Sequence, residues 1–263
     1  MNKPRFSNVV VTGASAGLGR ALAVAHARPG AVLGLVGRNA AQLEATAASC
    51  RMRGARVIAG AVDVRDADAL CRWLLAFDDA HPVDLLIANA GLASTLATSA
   101  DWEDLERTRR VVDTNFYGVM HTVLPMIDRM RARKYGSIAM ISSLAALRGM
   151  AISPAYCASK AAIKAYADSV RPLLARDGIV LSVVLPGFVK TAMSDVFPGD
   201  KRLMWSAGRA AGHIRRKLHA RRAEIAFPGA LAFGMRFLSV MPVRLADCIL
   251  GRLSYLPEKD GAN

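Results

Sequence analysis

Cysteine is scarce in this chain: four occur in 263 residues, at Cys50, Cys71, Cys157 and Cys248. None forms a CxxC pair, a spacing that argues against a zinc site and a disulfide framework and suits a reducing cytosol. No uninterrupted run of 18 apolar residues exists, so no spanning helix is expected. The β-branched run Asn8-Val9-Val10-Val11 begins almost at once, and no signal peptide is expected ahead of it. Repeats, low-complexity tracts and long linkers are also lacking. A cytoplasmic protein of one domain, residues 1–263, is the resulting expectation.

Acidic residues are the other shortage, 21 against 35 lysines and arginines, for a net charge of +14. The excess is concentrated. Lys201, Arg202, Arg209, Arg215, Arg216, Lys217, Arg221 and Arg222 stand against Glu224 alone between positions 201 and 224. No nucleic-acid motif accompanies them. A solvated basic face, an anionic small molecule or a membrane surface fits better than nucleic acid. Hydrophobic residues make up 53% of the chain, enough for a large core and too many for disorder.

Apolar runs and helical patterns alternate. Strands are expected at Val9–Thr12, Ala31–Val36, Val57–Val62, Val83–Ala88, Ser137–Ile141, Ile179–Leu185 and Ile225–Phe227. Helices are expected from about Gly17 to Arg28, from the Asn39 cap to about Arg53, and from about Asp66. Further helices are expected over Trp102–Arg133, Ser153–Arg176 and Leu203–Leu218. Strands apolar on both sides suit a parallel sheet covered on both faces. The expected fold is α/β: a doubly wound parallel sheet, Rossmann-like, of about seven strands.

The turn after the first strand reads Thr12-Gly13-Ala14-Ser15-Ala16-Gly17-Leu18-Gly19. Glycines there permit a tight turn and close approach of a pyrophosphate to backbone N–H groups at a helix N-terminus. At the end of the second strand, where a carboxylate would accept the ribose hydroxyls of NAD, the chain has Gly37 followed by Arg38. Nothing there repels a 2′-phosphate and a guanidinium can bind it, so NADP(H) is expected over NAD(H). Asp63-Val64 ends the third strand, where a carboxylate can meet an adenine amino group. Asn89-Ala90-Gly91 ends the fourth, where small residues let a cofactor lie against the backbone.

Tyr156 and Lys160 are four residues apart on a helix and share a face. A free tyrosine titrates near about 10, and a neighbouring ammonium favours the phenolate and lowers that value. The pair is therefore a candidate acid–base couple.

With these residues in place the chain resembles the short-chain dehydrogenase/reductase family in its compact form. The resemblance is carried by Thr12–Gly19, Asp63, Asn89-Ala90-Gly91, Asn115, Ser143, Tyr156-x-x-x-Lys160 and Pro186-Gly187. Ser143 and Tyr156 stand thirteen residues apart, the family's usual separation. Ala88, where many members carry a first Asn, is a departure. The resemblance implies an oxidoreductase that interconverts a carbonyl and a secondary alcohol. Tyr156 would be the general acid, Lys160 would lower its pKa and bind the nicotinamide ribose, and Ser143 would hold the substrate oxygen. Asn115 would hold a water linking Lys160 to solvent. Pro186, Gly187, Val189 and Thr191 would contact the nicotinamide amide. The turn residues Gly13, Ser15, Ala16, Gly17, Leu18 and Gly19 would bind the cofactor. A small-molecule substrate, a homodimer or homotetramer and no metal complete the expectation. Ser142 is the competing hydroxyl beside Ser143. Tyr117, Tyr166, Cys157 and the histidines His81, His121, His213 and His219 read as structural or solvated.

Two segments remain. Residues 192–222 are expected to form a substrate lid and a basic helix, and Met193, Val196, Phe197 and Leu203 hint at a bulky or apolar substrate. The extension 228–256 is strongly apolar and is divided by Pro242, which predicts two short amphipathic helices. They are read as covering an oligomer interface or the active-site mouth, or as resting on a membrane surface. Two other functions fit parts of the pattern. Epimerase or dehydratase chemistry on a sugar nucleotide uses the same Tyr–Lys pair, but the glycine spacing and short substrate region disfavour it. A non-catalytic NADP(H)-binding regulator is disfavoured by the intact tetrad.

Overall fold

The computed structural model describes residues 6–98, 101–197, 201 and 203–252. Arg202 of the basic segment and the end of the apolar extension, residues 253–256, lie outside them. Seven strands form one parallel sheet: β1 (Asn8–Thr12), β2 (Val32–Val36), β3 (Arg56–Gly60), β4 (Leu85–Ala88), β5 (Gly136–Ile141), β6 (Ile179–Pro186) and a late edge strand at Glu224–Phe227. A separate two-stranded pair joins β7 (Val189–Lys190) to β8 (Trp205–Ser206), which makes the edge strand β9. The sheet order is β3-β2-β1-β4-β5-β6-β9. Each expected strand is present, with ends shifted by a few residues at most.

Successive side chains of β1 show why the sheet needs two covering layers. Val10 joins the core on one face, and Val9 and Val11 join the core on the other. One layer contains α1 (Gly17–His26), α2 (Ala40–Arg51) and α8 (Ala207–His219), which packs on α1. The other contains α3 (Ala67–Ala80), α5 (Gly118–Ala132) and α6 (Pro154–Arg176), with α4 (Leu105–Val112) set against α6. The remaining helices are α7 (Ala192–Asp195), α9 (Gly229–Val240) and α10 (Val243–Arg252). No helix among the described residues is long and apolar enough to cross a membrane.

Two helices depart from expectation. The stretch Trp102–Arg133 is not one helix. A π turn over Asp113–Tyr117 separates α4 from α5, and the Gly118 N–H reaches back to Asp113 O. Such a turn adds a residue to the helix and re-aims its side chains. The helix expected from Leu203 starts at Ala207 instead. Ser206 caps it through a bond from Arg209 N, whereas Leu203 has φ of 62° and is exposed. The apolar face Ala210, Ala211, Ile214 and Leu218 is buried, and Arg209, Arg215 and Arg216 are exposed.

His26, in the last turn of α1, is a buried group with a measurable consequence. Its Nδ1 lies 2.9 Å from Leu22 O and Nε2 has no partner. Burial, and then the charges of His219, Arg215 and Arg28, push its pKa down to about 4. The unfolded chain takes up this proton near 6.5, so it binds more protons than the native state between those values. Stability is therefore expected to fall by about 2 to 3 kcal/mol from this residue as pH drops from 7.5 to 4.5. Urea titrations of wild type and His26→Leu at both values test it: the variant should lose that much less. Equal losses in the two proteins would remove the assignment.

Candidate active site

The carboxyl ends of the strands converge on one edge of the sheet, and the order reverses direction between β1 and β4, the switch point where such sheets bind ligands. The turn after β1 lies there. Gly13 has φ of 66°, and a Cβ on it would stand 2.8 Å from Ala90 Cα. A Cβ on Gly19 would stand 2.1 Å from Gly13 O. Asn89 locks this turn: its Nδ2 donates to Thr12 O at 3.0 Å and its N–H donates to Thr12 Oγ1 at 3.1 Å. Asn89 thus ties β4 to the glycine loop, and the Ala90 N–H adds a bond to Thr12 Oγ1 at 3.3 Å.

At the end of β2, Gly37 leaves no room for a side chain, since a Cβ there would meet Ser15 Oγ at 2.1 Å. The Ser15 hydroxyl is buried without a partner. Arg38 stands beside it, 61% exposed, with one loose ion pair to Asp63 at 3.9 Å. Asn39 Oδ1 accepts from Gln42 N at 2.9 Å and opens α2. A cation and a helix N-terminus therefore border one space. Asp63 does not line it. Arg65 takes both carboxylate oxygens, with Nη2 to Oδ2 at 2.7 Å, and Val62 and Val64 form the cavity wall instead. Burial pushes the Asp63 carboxyl up, but the Arg65 bonds and the charges of Arg65 and Arg38 outweigh it and hold the group low.

At the other end, Ser143 follows β5 and opens a 3-10 turn over Leu144–Ala146 by accepting from Ala145 N at 3.1 Å. Its hydroxyl also donates to Pro186 O, a long bond of 3.4 Å. Ser142 is engaged elsewhere, donating to Lys160 O at 2.7 Å, which leaves Ser143 as the available hydroxyl. Tyr156 and Lys160 sit in the first two turns of α6, both buried. Lys160 Nζ donates to Ile141 O at 3.1 Å and stands 5.7 Å from the Tyr156 ring centroid.

The electrostatics differ from the simple Tyr–Lys expectation. Burial pushes Tyr156 up to about 12, and the Ser143 hydroxyl offsets only part of that. Lys160 is pushed down to about 8 by burial alone. Desolvation penalises both charged forms, and here it outweighs the attraction between phenolate and ammonium.

Asn115 lies in the π turn, fully buried, and does not line the cavity. Its Oδ1 accepts from Leu92 N at 2.8 Å, and Nδ2 donates to Leu92 O and to Ser159 Oγ, each at 3.0 Å. The side chain braces the loop after β4 against α6, and its hydrogen-bonding groups are all engaged. Glu103 is a further brace: Oε2 accepts from Ala155 N at 2.6 Å and supplies the cap that Ser153, engaged with Ser94 O, does not give α6. Fifty-two residues separate acceptor and donor, and no local pattern announces the pair.

One cavity of about 1000 Å³ joins the two ends. Gly13, Ser15, Ala16, Gly17, Leu18, Gly19, Arg38, Val64, Asn89, Ala90 and Gly91 line it, with Ser143, Tyr156, Lys160, Pro186, Gly187, Val189 and Thr191. Of the residues singled out from the sequence for the site, Asp63 and Asn115 are absent from its wall. Met150 and Phe188 are wall residues with no sequence signal. Phe197, edge-on to Tyr156 at 5.8 Å between centroids, closes the lid side. Cys157 is buried, its thiol pushed up by that burial, which makes it inert.

Comparison with known proteins agrees with this geometry. The family described as short chain dehydrogenase matches residues 7–201. An uncharacterized oxidoreductase of Myxococcus xanthus is 34% identical over 254 residues, 96% of this chain and 100% of that one. The 11-beta-hydroxysteroid dehydrogenase-like 2 of Arabidopsis thaliana is 30% identical over 258 residues, 94% of this chain and 82% of its own. The crystal structure of a short chain dehydrogenase from Mycobacterium paratuberculosis bound to NAD superposes with a TM-score of 0.73 at 26% identity, covering 84% of this chain and 95% of that one.

Proposed function

The chain belongs to the short chain dehydrogenase family and is an oxidoreductase of CH–OH groups, and on that premise we propose that it interconverts a carbonyl and a secondary alcohol with NADP(H). The observation that carries the cofactor is the end of β2, where the exposed Arg38 guanidinium and the start of α2 at Asn39 border the cavity and Gly37 stands in place of a carboxylate. A 2′-phosphate would pair with that cation, and no carboxylate on that strand end repels it. The Gly13–Gly19 turn and Asn89-Ala90-Gly91 would hold the rest of the cofactor. When bound, the cofactor supplies the hydride.

The remaining chemistry belongs to the chain. Ser143 Oγ donates to the substrate oxygen and stabilises its developing charge. Tyr156 gives that oxygen its proton in reduction and removes it in oxidation. Lys160 places its charge beneath both. Asn115 and Glu103 act as positioning residues, holding α6 against the loop after β4 and at its N-terminus.

Absorbance at the NADPH band, followed against a panel of aldehydes and ketones and repeated with NADH, tests the reading. Turnover with an efficiency at least about tenfold higher for NADPH is expected, the value of one charge-assisted contact. Equal efficiency with NADH removes the cofactor assignment.

A further inference from the structure

On α9, Leu231, Gly234, Met235 and Leu238 follow steps of three and four, and all four line the cavity. The helix sits directly against the reacting groups. A Cβ on Gly187 would stand 3.0 Å from Leu231 Cδ2 and 3.4 Å from Leu144 Cδ1, one residue from Ser143. Leu250 of α10 continues the same wall. An ion pair of 2.5 Å between Arg148 and Asp247 ties α10 to the loop after the 3-10 turn and engages the Arg148 charge. Met150 and Phe197 face this wall from other elements.

Charge is what the wall lacks. Among the described residues lining the cavity, Arg38 and Lys160 alone are charged, the first at the β2 end and the second beneath Tyr156. Beyond Ser143 and Tyr156 the space offers hydrocarbon and thioether. A phosphate or carboxylate there would lose its hydration with no partner, a large penalty. Space remains as well: a Cβ added at Gly234 meets nothing within 4 Å. Met150 and Met235 can adapt to irregular shapes.

We propose that the substrate is an apolar carbonyl compound, its hydrocarbon body seated against α9 and α10 and its oxygen between Ser143 and Tyr156. This rests on the oxidoreductase reading and names the substrate class of that same site. Burying a methylene favours binding by a factor of about four, so kcat/KM for 2-alkanones with NADPH should climb about fourfold per carbon from butanone toward dodecanone until the wall is filled. Gly234→Leu, which fills the open space and improves helix propensity, should keep its melting temperature and lower the dodecanone-to-butanone efficiency ratio about tenfold or more. A flat or falling length dependence, or an unchanged ratio in Gly234→Leu, overturns the proposal. If no ketone turns over, the proton-transfer reading has failed instead. Binding then decides the substrate class: a thermal shift with dodecanone in wild type that Gly234→Leu loses supports it, and no shift in wild type overturns it.

Discussion

Replacing Tyr156 by Phe is expected to lower kcat for carbonyl reduction by a factor of about a hundred to ten thousand, the range that one positioned proton donor contributes. The ring is buried and packed edge-on against Phe197, so the variant removes one oxygen and keeps the packing. Cofactor binding, read as protein fluorescence quenching on NADPH titration, should persist. Near-normal turnover would show that the proton comes from elsewhere. The pH profile sharpens the test, because kcat/KM reports the free enzyme. Tyr156 keeps its proton up to about 12, so the donor is present throughout the working range. Lys160 loses its charge as pH rises through about 8, and reductive kcat/KM should decline above that value. A profile flat to pH 10 would separate the Lys160 charge from the reaction.

Arg38→Ala is expected to lower the NADPH-to-NADH efficiency ratio by about tenfold to a hundredfold, the worth of a charge-assisted hydrogen bond to a phosphate. Asp63 is the residue that complicates this. It stands 3.9 Å from Arg38, but its carboxylate is held by Arg65, so the Arg38 guanidinium is left open to an anion. Truncation at Arg38 leaves Asn39 and Gln42 as polar side chains bordering the proposed phosphate site. Steady-state kinetics with both cofactors and one ketone reads the ratio. No change would mean that Arg38 is a solvated turn residue. Inserting a carboxylate at position 37 is the less informative variant, since any Cβ there must displace Ser15.

Much of this protein was readable along the chain because the relevant physics is short-ranged. Short apolar runs marked the strands of the main sheet, and Asn39 and Asp66 stand at helix starts as N-caps. The glycine turn and the Tyr156–Lys160 step are local spacings, and both line the cavity. Pro242 divided the extension into α9 and α10. Ser206 is also a legible cap, but apolar spacing continues upstream of it and places the expected helix start at Leu203.

Other features had no local signal. The π turn at Asp113–Tyr117 exists where Asn115 meets Leu92 and Ser159, contacts made across 23 and 44 residues. Glu103 capping α6 and Arg65 claiming Asp63 are decided by which side chains meet after folding. The Tyr156 and Lys160 pKa values turned on burial, which no spacing encodes. By itself, the sequence determined the parallel sheet and the glycine turn and singled out the proposed reacting groups, because periodicity and spacing act within a few residues. Only the tertiary structure decided that α9 lines the cavity, that its wall carries no charge beyond Tyr156, and that desolvation governs the Tyr–Lys pair, because cavities and dielectric surroundings arise from packing between distant segments.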